Sequence, residues 1–183
     1  MSPVHSRLGS YLENKTRRTL RQATSFPWHI DFLDDALLGI CETDLTLLGA
    51  GTGVGKTQIA AQIALEASRK GKQVLFFALE AEVGEIEDRL LYSAIAREWW
   101  KRFPAGRAGV VMRYQAWRMG HLEDELGEIE KEILPMLNLE MAGIRTIYGE
   151  GTESGFYTVQ NFADALGGQY ISGYDLVIVD HLH

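Results

Sequence analysis

A chain of 183 residues with 46% apolar and 23% charged side chains has the make-up of one soluble globular domain, which excludes collagen-like and disordered classes. No run approaches the roughly 20 consecutive apolar residues of a membrane span, and the amino terminus has no apolar signal region. The formal charge of −7 is uneven, with +4 on residues 1–22 and −11 on the rest, and so acidic a body argues against a broad nucleic-acid-binding surface while leaving room for contacts by a few loops.

Residues 1–30 read as a basic arm rather than core. A short helix over roughly Ser10–Gln22 carries Arg17, Arg18 and Arg21, either as a solvated face or as a linker that docks on a neighbouring subunit or a phosphate backbone. Phe26-Pro27-Trp28 interrupts any helix there. From residue 31 an α/β pattern begins. Asp34-Asp35 is placed to cap a short helix ending near Gly39. The single cysteine, Cys41, suits a half-buried thiol in a reducing cytoplasm.

Leu45-Thr46-Leu47-Leu48 is a short apolar run without alternation, expected as a strand buried in a parallel sheet. A helix follows over Lys56–Lys70, with Ile59, Ala60, Ile63, Ala64 and Ala67 on one face and Gly71 ending it. Val74–Leu79 reads as a second buried strand leading to Glu80, and Gly84–Phe103 as a helix with Ile86, Leu90, Leu91 and Ile95 inward. On that helix the neighbours Trp99 and Trp100 cannot both face one core. Either one is buried and one caps the surface, or an exposed ring serves subunit contact or base stacking. Gly106–Gly109 is a loop, and Glu123–Leu137 is a helix with Pro135 near its end. Ile144–Tyr148 is a third strand, Gly149–Gly155 a loop, and Thr158–Leu166 a capped helix. Leu176–Val179 is a fourth strand, followed by Asp180. Strands alternating with helices predict a parallel sheet with helices on both faces. The chain stops three residues after Asp180, which reads as the front part of a longer domain.

The chemistry is concentrated in Ala50-Gly51-Thr52-Gly53-Val54-Gly55-Lys56-Thr57. This is the Walker A phosphate-loop pattern with Ala in place of the first Gly. Gly51, Gly53 and Gly55 permit positive-φ turns that aim successive N–H groups at one anion, and the helix begun at Lys56 adds its positive dipole end. Lys56 is expected on the β- and γ-phosphates, Thr57 on magnesium, and Gln58 in the same nucleotide-binding turn. The cofactors are therefore expected to be ATP and Mg²⁺. Asp180, ending an apolar strand downstream, is expected as the Walker B aspartate that holds magnesium. Hydrolysis also needs a group to orient or deprotonate water. His181 stands where many such enzymes carry a Glu, so the base must come from elsewhere. Glu80, at a strand's carboxyl end, is the expected catalytic residue for this role and Glu82 the second choice. His181 and His183 read as solvent-facing.

Three stretches carry a family resemblance: Gly39–Thr57, Phe77-Ala78-Leu79-Glu80 with Arg89-Leu90, and Val179-Asp180-His181-Leu182. They resemble the RecA-like ATPases, and among these the hexameric replicative helicases of the DnaB type. Arg118-Met119-Gly120-His121-Leu122-Glu123-Asp124 also resembles that family's Arg-x-Gly-x-Leu-x-Asp segment. The resemblance covers roughly residues 31–183 and implies a RecA-like P-loop fold, incomplete at its carboxyl end. It implies Glu80 as catalytic glutamate, Lys56 and Thr57 on phosphate and magnesium, and Asp180 as a carboxylate that holds magnesium through water. It implies a homo-oligomeric ring, a hexamer, with ATP between subunits and single-stranded DNA held by regions beyond residue 183. The family's arginine finger also lies beyond that point, so this chain alone is expected to bind nucleotide and hydrolyse it slowly. Four functions compete: a DNA-dependent, helicase-like motor; a RecA-fold ATPase that loads or remodels proteins without unwinding; a small-molecule kinase; and a non-hydrolysing nucleotide-binding module.

Overall fold

The computed structural model describes residues 11–16, 19–20, 25–28, 30–37, 39–41, 44–149, 160, 164 and 172–180. The chain divides into two compact units, residues 1–52 and 53–183. In the first, residues 11–16 and 19–20 are helical, as the arm's pattern predicts. Helix α1 spans Asp31–Leu37. Asp34 and Asp35 therefore lie inside it rather than at its start, which corrects their expected capping role. The Asp34 carboxylate instead accepts the Trp28 N–H at 2.6 Å, fixing the chain that enters the helix. Phe26 and Ile40 exchange two backbone bonds of 2.8 Å in an isolated antiparallel bridge. The approach is so close that a Cβ on Gly39 would stand 2.5 Å from the Phe26 carbonyl oxygen.

The expected strand Leu45–Leu48 does not form: the segment has no regular structure, and Leu45 and Leu47 are 100% and 89% exposed. Three leucines and a threonine do not settle into a strand without a ladder to join. Here Asp44 and Gly49 bracket the run, and no described strand pairs with it.

In the second unit the elements are helix α2 (Lys56–Arg69), strand β1 (Val74–Ala78), helices α3 (Glu85–Arg102), α4 (Tyr114–Arg118) and α5 (Glu123–Glu140), and strands β2 (Ile144–Tyr148) and β3 (Leu176–Asp180). The three strands form one parallel sheet in the order β2-β1-β3. All five β1 side chains are buried although alternate ones point to opposite faces, so both faces of the central strand are covered. Helix α2 packs on all three strands, burying Ala61, Ile63, Ala64, Leu65 and Ala67. Its expected partners Ile59 and Ala60 are only half-buried, because the buried stripe is displaced toward Leu65.

Helices α3 and α5 pack together around a second cluster of Ile95, Trp99, Leu122, Leu126 and Ile129. Trp99 is 1% exposed and Trp100 50%, and their rings meet edge to face with centroids 4.7 Å apart. One ring of the pair is thus core and the other surface. Helix α5 runs one turn past the predicted end. Pro135 is exposed, so water can replace the helical bond it cannot donate. Of the predicted Thr158–Leu166 helix only residues 160 and 164 are described, and both are helical. The remainder of that helix, the Gly149–Gly155 loop beyond Gly149, and His181 to His183 lie outside the described residues.

Candidate functional site

Helix α2 opens at Lys56 behind Gly55, whose φ of 99° places it in the left-handed region, and Gly53 has a φ of 76°. Gly51 does not adopt a positive φ, contrary to expectation, because the turn is made at residues 52–55. A Cβ added at Gly53 or Gly55 would meet nothing within 4 Å. The backbone twist, rather than crowding, is what demands glycine there. The first bond along the helix is donated by Ile59 N–H to Gly55 O at 3.1 Å. The amides of the preceding turn point out of the helix's amino end, where an anion can take them, and no acidic residue stands in that turn to compete. Ala50, Gly51 and Thr52 belong to the first unit, and Gly53, Val54, Gly55, Lys56, Thr57 and Gln58 to the second. Residues 50–54 are exposed and residues 55–58 half-buried. The Gln58 amide donates to the Ser93 hydroxyl at 2.6 Å, tying the first turn of α2 to α3.

The direction of α2 follows from what lies at its far end. There the Ser68 hydroxyl accepts the Gly143 N–H just before β2, and Arg69 bridges to Glu140 at the end of α5. Gln73 and Asp175, which precede β1 and β3, bond to each other at 2.8–2.9 Å. All three strands therefore begin at the carboxyl end of α2. Its amino end, with Lys56 and Thr57, lies toward the carboxyl ends of the strands.

Those strand ends carry the two predicted acids. Ala78 pairs with Asp180 across β1 and β3, and Leu79 N–H donates to Asp180 O at 2.9 Å. Asp180 thus closes β3 beside the strand that leads, two residues on, to Glu80; neighbouring strands lie about 4.8 Å apart. Asp180 is half-buried and Glu80 exposed. Glu82, the second choice as base, is engaged otherwise. Its carboxylate pairs with Arg118 and its N–H donates to Glu85. Arg118 also stands 3.7 Å from Asp88, so the Arg-x-Gly segment reaches both the turn that follows Glu80 and the first turn of α3. Burial works to raise the pKa of Glu85, but hydrogen bonds from Arg89 and Glu82 N–H hold it below the ordinary carboxylate value.

The sequence reading missed Tyr148 and Glu87. The Tyr148 hydroxyl, at the end of β2, donates to Glu87 and accepts the Ile86 N–H at 3.3 Å. The Thr146 hydroxyl donates to the other Glu87 oxygen at 3.0 Å. Burial, with the Glu87 carboxylate beside it, pushes the Tyr148 phenol far above its ordinary value, so it stays a donor at working pH. No local spacing links residues 61 positions apart, and only the sheet brings them together.

A hollow of about 270 Å³ between α3, α4 and α5 is lined by Asp88, Trp117, Arg118 and Glu130, and none of the predicted site residues borders it. Among the described residues no three His, Cys, Asp or Glu side chains gather as a metal cage. A magnesium ion at a phosphate site takes most of its ligands from phosphate and water and few from protein. The donor types at Thr57 and Asp180 suit such an ion.

The family model for the DnaB-like helicase C-terminal domain matches residues 26–183, from Phe26 through the strand that ends at Asp180. The chain belongs to that family. Its fold is therefore RecA-like, and the DnaB-like helicase domain is a helicase-type ATPase domain. Domains of this family bind nucleotide with Mg²⁺ and form hexameric rings on single-stranded DNA. Neither the curated proteins nor the solved structures returned a match to the chain. Among the described residues of this DnaB-like domain no helix is long and apolar enough to cross a membrane.

Proposed function

We propose that this DnaB-like domain binds ATP–Mg²⁺ at residues 50–58 and hydrolyses it to drive a helicase-like motor in DNA replication or recombination. Supporting it most directly is the pairing of Ala78 with Asp180, which sets the strand tip leading to Glu80 beside the Asp180 tip, at the end where α2 opens. Lys56 and the N–H groups of the α2 amino end hold the β- and γ-phosphates. The Thr57 hydroxyl and the Asp180 carboxylate would hold magnesium, which would supply positive charge against the phosphate oxygens. Glu80 orients the attacking water and takes its proton. The working form is a cytoplasmic homo-hexameric ring on single-stranded DNA, with residues 1–30 as a basic arm outside the core of residues 31–183.

Substitutions in the phosphate turn and at Glu80 test this reading. Lys56→Ala is expected to weaken binding of a fluorescent ATP analogue at least tenfold. Glu80→Gln is expected to keep that binding and to lower turnover by roughly 10²–10³-fold, the loss typical of a removed base or charge stabiliser. Nucleotide affinity unchanged by Lys56→Ala would overturn the proposal. Turnover that responds to a protein partner and not to single-stranded DNA would replace the motor with a remodelling ATPase.

A further inference from the structure

Six residues, Leu79–Gly84, join β1 to α3, and Glu80 is the second of them. Their starting point is fixed by the sheet. Leu79 N–H donates to Asp180 O, and Gly149 N–H donates to Ala78 O at 3.2 Å. Gly149 lies so close that a Cβ there would stand 2.3 Å from the Leu79 carbonyl oxygen. The far end is fixed from β2. Tyr148, the last residue of that strand, is the register partner of Ala78, the last of β1. Its hydroxyl accepts the Ile86 N–H and donates to Glu87, while Thr146 holds the other Glu87 oxygen. One rung of the sheet, Tyr148–Ala78–Asp180, therefore anchors both ends of the Glu80 turn.

We infer that Tyr148 and Glu87 are positioning residues for Glu80: the Tyr148–Glu87 bond locks the start of α3 to the sheet end, and so sets where the Glu80 carboxylate stands against the attacking water. The inference rests on the reading of Glu80 as the water-orienting acid. A bond that served the fold alone would support stability and leave the turn's geometry, and hence the chemical step, unaffected. A bond that positions the turn acts on the chemical step, because displacement of a reacting group by about 1 Å costs up to 10²-fold in rate.

The decisive experiment uses Tyr148→Phe in the full chain, with single-stranded DNA present. We expect kcat to fall roughly tenfold to a hundredfold while KM for MgATP and nucleotide affinity stay as in the parent. Thr146→Val, which removes one of the two donors to Glu87, falls less in the same direction and serves where Tyr148→Phe does not fold. Glu87→Gln, which keeps an acceptor for the phenol, retains more kcat than Glu87→Ala. Hydrogen exchange supplies a readout independent of turnover: amides of residues 79–86 exchange faster in Tyr148→Phe, while those of β1 do not. Unchanged kcat, or unchanged exchange over residues 79–86, overturns the inference. So does a loss of kcat matched by an equal loss of nucleotide-binding sites. Glu80→Gln run alongside separates the two claims. If it abolishes turnover while Tyr148→Phe is silent, only the positioning role fails; if it leaves turnover intact, the reading of Glu80 fails.

Discussion

Gly149 and Gly127 are both glycines in ordered chain, but their surroundings make opposite demands. A Cβ at Gly149 would press to 2.3 Å of backbone, the Leu79 carbonyl oxygen, which no rotamer change can relieve. Gly149→Ala is expected to destabilise the domain by about 1–3 kcal/mol, the usual cost of overpacking a tight site. Gly127 lies inside α5 with nothing within 4 Å of its Cβ position. Gly127→Ala should raise stability by about 0.4–1 kcal/mol, because alanine restricts the unfolded chain and favours helix. Urea unfolding midpoints of the two variants check both signs. The sequence already places Gly127 inside a predicted helix, but nothing in it signals the close approach at Gly149. It is the crossing of Gly149 over the end of β1 that separates them.

At the scale of elements, the α3–α5 pair shows how far periodicity carries. The 3- and 4-residue spacing predicts a stripe of Leu126, Ile129, Ile133 and Leu137 on α5, of which Ile133 is only half-buried, and of the four residues expected inward on α3, Ile86, Leu90 and Ile95 are buried and Leu91 half-buried. It could not decide between Trp99 and Trp100, since adjacent helical positions differ by about 100° and either could border the stripe. Contact with Leu126 and Ile129 on the facing helix settled it for Trp99. Trp99→Ala should therefore cost about 3–5 kcal/mol, as truncation of a buried aromatic does, while Trp100→Ala costs about 0.5–1.5 kcal/mol, the worth of its edge-to-face contact. Thermal denaturation of the two single variants, side by side, tests the assignment. Comparable losses at both positions would contradict it.

For the molecule as a whole, stability is graded outward from β1. That strand is hydrogen-bonded on both sides and buried on both faces, whereas β3 is half-buried throughout, and among the described residues nothing pairs with its outer edge. Amide hydrogen exchange should accordingly be slowest in Val74–Ala78. In Leu176–Asp180 the amides bonded to β1 should exchange more slowly than those facing the open edge. Uniform protection across β3 would show that its outer edge is covered in solution. The phosphate-turn helix rests on this gradient, since α2 packs on all three strands and inherits its direction from them.

Much of the candidate site could be read from residue order alone. The glycine spacing before Lys56-Thr57, the helix behind it and the acids after two apolar runs are local patterns, each with a local physical cause. Backbone twist needs glycine, a helix needs its 3.6-residue stripe, and an inner parallel strand needs an unbroken apolar run. Three-dimensional pairing decided the rest. Leu45–Leu48 is, like β1, a largely apolar run yet forms no strand, because a strand exists only where another offers it hydrogen bonds. Ala78 and Asp180 were joined only by the register of β1 on β3, and Tyr148 met Glu87 only because β2 ends beside the start of α3. Contacts between positions 60 or 100 residues apart depend on how strands are ordered and aligned, which no short window of sequence encodes.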